Sequence, residues 1–219
     1  MVEISTSFLS LETYNATKHI YDLEVAHTDY FHIDVMDGKF VENNTEERMR
    51  GYTNQIKQIS NLPIDVHLMV EDVEKYVEEY MPYTPNIITF HYEACKNKEE
   101  VLKRISYIKD NGTKVGLAIN PNTLVEEIYE LLPLVHMILI MTVEPGKGGQ
   151  KLIPETLDKI RRLNQYRNEN NLDFDIEADG GINLETMPSV KEVGVDIAVV
   201  GSAIIKTEDY KETIKLLKE

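Results

Sequence analysis

The feature that most constrains this chain is an alternation of two hydrophobic periods, repeated eight times in 219 residues. Short runs rich in Ile, Val, Phe and Tyr read as strands over 2–9, 30–36, 64–69, 86–91, 115–119, 137–142, 174–178 and 197–200. Between them, helical periodicity predicts helices over 12–26, 45–59, 73–81, 99–110, 121–132, 154–168, 184–192 and 207–218. Strict β/α alternation calls for parallel strands joined by crossover helices. Eight such units in this length predict a single-domain (β/α)8 TIM barrel covering residues 1–219. The competing architecture is a doubly wound open sheet. A closed barrel gathers every strand's C-terminal end around one mouth, whereas an open sheet does not bring the second, third and seventh ends together.

Those three ends carry the unusual residues. In Tyr30-Phe31-His32-Ile33-Asp34-Val35-Met36-Asp37-Gly38, strand geometry places His32, Asp34 and Met36 on one side and Ile33 and Val35 on the other. Asp37-Gly38 then supplies turn chemistry. An ionised Asp34 in a dry core needs a partner, and a metal ion is one of the few that suffice. Alone, the stretch reads equally well as a satisfied core histidine beside a capping aspartate. Leu62–Val70 repeats the pattern with His67 and Met69, and Phe174–Gly181 ends in Asp179. His32, Asp34, His67 and Asp179 together offer two imidazoles and two carboxylates. That is a complete ligand set for one divalent metal per chain, whether Zn²⁺, Fe²⁺, Mn²⁺ or Co²⁺, with room for substrate oxygens.

The later strand ends are rich in glycine. Gly146, Gly148 and Gly149 flank Lys147 after the sixth strand, Gly180-Gly181 follow the seventh, and Gly201-Ser202 follow the eighth. Backbone N–H groups freed of side chains can converge on an anion, and the loops after the last strands of a barrel are the usual phosphate site. Lys147 reads either as added positive charge or as a solvated loop lysine.

Composition excludes several function classes. A formal charge of −15 argues against nucleic-acid or acidic-membrane binding, although it leaves a local anion site possible. No run approaches the ~18 apolar residues of a membrane span. Met1-Val2-Glu3-Ile4-Ser5 has neither the basic nor the apolar region of a signal peptide. Cys95 is the only cysteine, so no internal disulfide framework exists. A cytoplasmic protein is expected.

Longer motifs add a resemblance. Ser7-Phe8-Leu9-Ser10, HIDVMDGKFV, DVHLMV, ITFHYEA at 88–94, Asn120-Pro121-Asn122-Thr123, MTVEPGKGGQ, DGGIN at 179–183 and Gly201-Ser202-Ala203 run the length of the chain. In these the chain resembles the ribulose-phosphate 3-epimerase family. The resemblance implies a ribulose-phosphate-binding barrel that inverts C3 of D-ribulose 5-phosphate to give D-xylulose 5-phosphate, through a metal-stabilised enediolate. It implies that Asp34 and Asp179 are the acid/base pair and that His32, Asp34, His67 and Asp179 hold the metal. It further implies that Ser10, Met36, Met69 and Met141 line the substrate pocket with His67, and that Gly146–Gly149, Gly180-Gly181 and Gly201-Ser202 take the phosphate. A phosphorylated ketose is then the expected partner, and a homo-oligomer the expected assembly. The sequence departs from the family pattern at Leu11-Glu12, at Glu71-Asp72-Val73, across 41–50, at Lys147 and at Ala178, and none of these is a proposed metal ligand.

Three other readings compete. D-allulose-6-phosphate 3-epimerases perform the same inversion on a sugar one carbon longer, and the 30–34 and 164–174 stretches look at least as much like theirs. Barrels similar to orotidine-phosphate decarboxylase carry a lysine between acids at a strand end, where this chain has none. A binding barrel without catalysis would be expected to have lost a ligand or base, and all four are present.

Overall fold

The computed structural model describes residues 2–219. Eight parallel strands close into one barrel in chain order: β1 Glu3–Ser7, β2 Tyr30–Met36, β3 Ile64–Met69, β4 Ile87–His91, β5 Lys114–Ile119, β6 Met137–Met141, β7 Asp175–Asp179 and β8 Ile197–Val200. Pairing of β8 with β1 leaves no free sheet edge. Around the barrel lie α1 Thr17–Val25, α2 Glu46–Ile59, α3 Val73–Tyr80, α4 Lys98–Asp110, α5 Glu155–Glu169, α6 Met187–Glu192, α7 Ser202–Ile205 and α8 Tyr210–Lys218. Among the described residues, no helix is long and apolar enough to cross a membrane.

The strands match the expected runs to within a residue or two, and the main differences lie where side chains outbid local periodicity. The first strand ends at Ser7, whose hydroxyl accepts the Leu9 N–H (3.1 Å) and turns the chain into a 3₁₀ turn at Phe8–Ser10. Residues 12–16 are not helical. Tyr52 donates its hydroxyl to the Thr13 carbonyl (2.6 Å), and Gln55 accepts the Ala16 N–H (2.8 Å), so α2 ties this segment down as an irregular bend. The helix expected over 121–132 is a 3₁₀ helix at Val125–Leu134 with Pro133 inside it, where proline cannot donate to an α-helical ladder. Asn183 accepts the Glu185 and Thr186 N–H groups, which delays α6 to Met187. The last expected helix is preceded by α7, and α8 begins only where Asp209 caps it.

Period-two alternation divides each strand between two environments. Ile33, Val35, Val66, Leu68, Ile88, Phe90, Ile138 and Ile140 face outward to the helices and are fully buried. Each contributes about 1.5–3 kcal/mol by leaving water. The inward positions are uneven. Ala118, Leu139, Met141 and Val143 form an apolar lining on the β5–β6 side, while Ile87, Met137 and Ile197 form a separate apolar cluster. Elsewhere in the barrel, β1, β2, β3 and β7 each present a polar pair two residues apart, Ser5 and Ser7, His32 and Asp34, Asp65 and His67, Glu177 and Asp179, all buried except the partly exposed Asp179. The upper members of these pairs meet at the mouth.

Candidate active site

Register brings the polar pairs into contact. His32 lies beside Asp65, and Asp34 beside His67, across the β2–β3 ladder. β7 adds Asp179 from the other side. His32 Nε2 is 3.3 Å from Asp34 Oδ1 and 3.9 Å from Asp179 Oδ2. His67 Nδ1 is 3.6 Å and 3.5 Å from the same two oxygens. One donor atom from each residue therefore faces a common point, and the four lie within 4.8 Å of one another.

These residues fit a metal ion. Ligand atoms held at roughly 2.1 Å from a small divalent cation sit about 3–4 Å apart, which is the spacing observed. His32 Nε2 and His67 Nδ1 are also buried polar atoms that no protein group among the described residues satisfies. Unpartnered imidazole nitrogens in a dry core are costly unless something else binds them. The outer atoms, by contrast, are engaged. His32 Nδ1 donates to Asp65 Oδ2 (2.5 Å), which also accepts the Ser5 hydroxyl (3.0 Å). Ser7 donates to Asp34 Oδ2 (2.6 Å). A carboxylate behind a histidine fixes its tautomer and makes the inner nitrogen a better donor.

Electrostatics follow from that packing. Burial works against a charge on His32, but Asp65 and Asp34 outweigh it and hold the imidazole well above its ordinary pKa. Burial likewise opposes ionisation of Asp34 and Asp65, and the neighbouring histidines hold both below the usual carboxylate range. Glu177 is the exception. Full burial and the Asp65 charge push its carboxyl well above that range, so it sits neutral beneath the cluster.

Above the cluster opens a pocket of about 740 Å³. Asp34 and Asp179 reach it from the floor, and Ser10, Met36, Met69 and Met141 line it. Its rim holds Gly146–Gly149, Gly180, Gly181, Gly201 and Ser202. His32 and His67 lie beneath the floor and do not line the pocket. Lys147 lies on the rim and pairs loosely with the exposed Glu42 at 3.7 Å. Lys206, after α7, lines the same pocket and was not singled out from sequence. Nor were Asp65, Glu177 and Ser7, although the same period of two that marks His67, Asp179 and the β1 end would have found them. The loop after β2 is fixed by Asp37, which accepts the Lys39 and Phe40 N–H groups and the Glu71 N–H (2.9 Å). Asn43 Nδ2 donates to the Gly146 carbonyl (2.5 Å), joining that loop to the glycine loop after β6.

Fold and site together define a (β/α)8 barrel with a buried two-histidine, two-aspartate cluster under a glycine-rimmed pocket. Residues 3–205 match the model of the ribulose-phosphate 3 epimerase family. The chain is 41% identical to a ribulose-phosphate 3-epimerase of Methanocaldococcus jannaschii over 221 residues, covering 100% of this chain and 91% of that one. It is 36% identical to that of Bacillus subtilis, covering 100% and 99%. The chain belongs to the ribulose-phosphate 3-epimerase family. Among solved structures it is similar to 3-hexulose-6-phosphate synthase from Salmonella typhimurium, with a TM-score of 0.71 at 17% identity, covering 99% and 96%. It is also similar to thiamine phosphate pyrophosphorylase from Pyrococcus furiosus, with a TM-score of 0.65 at 15% identity, covering 99% and 94%. These two likenesses concern the fold alone.

Proposed function

We propose that this chain interconverts D-ribulose 5-phosphate and D-xylulose 5-phosphate by inverting C3. The observation that carries the reading is the meeting of Asp34 and Asp179, from β2 and β7, at one buried donor cluster on the floor of a glycine-rimmed pocket. Full-length relatives named ribulose-phosphate 3-epimerase support it.

Inversion removes the C3 proton from one face and returns a proton to the other, so it needs an acid/base group on each side. Asp34 and Asp179 supply them, one accepting as a carboxylate while the other donates as the acid. They are not equivalent. Asp34 is almost wholly buried and accepts the Ser7 hydroxyl, whereas Asp179 retains 15% side-chain exposure to the pocket. His32, Asp34, His67 and Asp179 would hold one divalent ion, which would supply Lewis acidity for the C2 carbonyl beside the departing proton. Met36, Met69 and Met141 exclude water around C2 and C3. The phosphate, anchored on the glycine rim with Lys147 and Lys206 nearby, holds C3 between the two acids. A homo-oligomer is part of the same reading, supported by exposed Tyr21 and Val25 on α1. Sedimentation would test it.

The deciding experiment compares kcat/KM for ribulose 5-phosphate and allulose 6-phosphate on one preparation containing metal. The pentulose is expected to be preferred, by roughly the 10- to 200-fold that one carbon is worth in a shaped pocket. Preference for the hexulose would move the substrate and leave the two-acid mechanism in place. Turnover of neither would end the reading.

A further inference from the structure

We propose that His91 and Glu93 are positioning residues that fix the tautomer and orientation of His67, and thereby how tightly the site holds a divalent ion. The inference rests on the metal reading above and extends it to a part of the barrel that reading does not use.

His91 closes β4 and is fully buried. Its Nε2 lies 2.9 Å from His67 Nε2, and its Nδ1 lies 3.3 Å from Glu93 Oε2. The ring is stacked on His67 (centroids 5.0 Å, planes 19° apart) and packed against Phe40 (4.9 Å). Two imidazole nitrogens at that distance must share a single proton. Two lone pairs repel, and two N–H groups clash. His67 turns Nδ1 toward Asp34 and Asp179, so as a ligand it carries its proton on Nε2. His91 must then accept at Nε2 and carry its own proton on Nδ1, where Glu93 receives it. Every link has a partner, in one direction only.

The far end of the chain is also fixed. Glu93 Oε1 accepts the Asn120 N–H (2.8 Å) and the Thr123 hydroxyl. Both donors come from the turn after β5, so Oε1 must remain an acceptor and Oε2 is left to face His91. Burial opposes ionisation of Glu93, but the hydrogen bonds with His91, Thr123 and the Asn120 N–H outweigh it and hold the carboxyl below its ordinary pKa. His32 has a direct carboxylate behind it in Asp65; His67 has the same device with one imidazole inserted.

This geometry makes Glu93→Gln a sharp test. Asn120 and Thr123 would hold the amide oxygen at the Oε1 position, which turns the NH₂ toward His91 Nδ1. His91 would then carry its proton on Nε2, facing the His67 N–H. An isosteric change should therefore disrupt His67 without altering packing. The experiment uses the full chain stripped of metal and measures Co²⁺ affinity by competition with a chelator. Thermal unfolding of the stripped proteins and ¹⁵N imidazole spectra of the Zn²⁺-loaded proteins accompany it. Glu93→Gln and His91→Phe should each weaken Co²⁺ binding about 10- to 100-fold, the usual cost of losing a group behind a metal ligand. His91→Gln, whose amide oxygen can still accept from His67, should recover most of the loss. The wild-type spectrum should show His67 protonated at Nε2. Undiminished Co²⁺ affinity in Glu93→Gln would overturn the proposal and leave the metal reading intact, and it decides the matter even if His91→Phe fails to fold. Absence of stoichiometric Co²⁺ binding by wild type would overturn both.

Discussion

The floor and the rim of the pocket are built on opposite principles. The floor is made of side chains on strands. His32, Asp34, His67 and Asp179 stand on β2, β3 and β7, and His32 and Asp34 are held from behind by Asp65 and Ser7. The rim is made of glycine-rich loops, to which the proposed function assigns the phosphate. Ladder hydrogen bonds and packing over-determine the floor, which suits the proposed role of holding a cation and moving a proton within fractions of an ångström. Phosphate tolerates more positional slack. The floor should therefore govern kcat and metal affinity, and the rim KM.

The strongest break of this division is at the acids. Asp34→Asn and Asp179→Asn each remove one face's proton carrier and one anionic ligand. Each should lower kcat by at least the 10²- to 10⁴-fold typical of a general acid or base. Asp179→Asn should retain some exchange of the C3 proton with solvent while losing net inversion, read by deuterium incorporation. A variant that keeps full turnover removes its residue from the mechanism.

Asp65→Asn tests whether support from behind matters as much as contact. Asp65 does not line the pocket, yet its carboxylate accepts the His32 Nδ1 proton and the Ser5 hydroxyl. An amide is a weaker acceptor there, and metal affinity should fall about 10- to 100-fold. Metal content by mass spectrometry after dialysis against a weak chelator reads this directly. If metal loading is unchanged, the floor's precision comes from the strands alone.

How far each half was legible in sequence follows from the same contrast. The floor's signal is local, because an inward residue recurs every second position along one strand, and His32 and Asp34 announce themselves. Asp65 and Glu177 were present in that signal, two residues before His67 and Asp179, and needed only the same count. His91 was not legible. A histidine ending an apolar strand reads as ordinary core, and its link to His67 exists only once β3 and β4 pair. The rim's glycines were visible, but not which of them are obligatory, since that depends on neighbours distant in sequence. The irregular segment at 12–16 and the 3₁₀ helix at Val125–Leu134 were missed because tertiary hydrogen bonds and Pro133 override helical periodicity.

Gly181 and Gly148 sharpen the rim side. Gly181 has φ +67°, and a Cβ there would lie 2.2 Å from the Leu152 backbone nitrogen. At Gly148 the nearest atom would be a Leu9 methyl at 3.4 Å, an ordinary contact. A strained left-handed residue costs on the order of 1–3 kcal/mol. Gly181→Ala should therefore lower the melting temperature, and the backbone shift that relieves the contact with Leu152 should raise KM by moving the proposed phosphate donors. Gly148→Ala should leave both nearly unchanged. Equal effects at the two positions would mean that the rim is not set by backbone geometry.

The smallest effect separates floor from rim by pH. In stripped protein the Asp65 and Asp34 carboxylates keep His32 protonated above its ordinary pKa, and His67 is raised as well by Asp179 and Asp34, in both cases against burial. Asp34 is depressed and carries no proton at neutral pH. A cation entering the site must therefore displace protons from imidazole, not from this carboxylate. The bound state holds fewer protons, so affinity rises with pH and falls as the medium is acidified. Each displaced proton contributes at most a tenfold change per pH unit, so the two raised histidines together allow up to a hundredfold. An unperturbed histidine, with a pKa near 6.5, would give a curve that flattens above about pH 7. With the raised values the slope should continue beyond pH 7. On the proposed reading phosphate on the rim would meet backbone donors that do not titrate, so inhibition by inorganic phosphate should depend on pH only through phosphate's own second ionisation. Chelator competition with Co²⁺ from pH 6 to 8, alongside inhibition by inorganic phosphate over the same range, tests both halves. A Co²⁺ curve flat above pH 7 would show that Asp65 and Asp34 do not hold the imidazole proton, and the electrostatic account of the floor would fail with it.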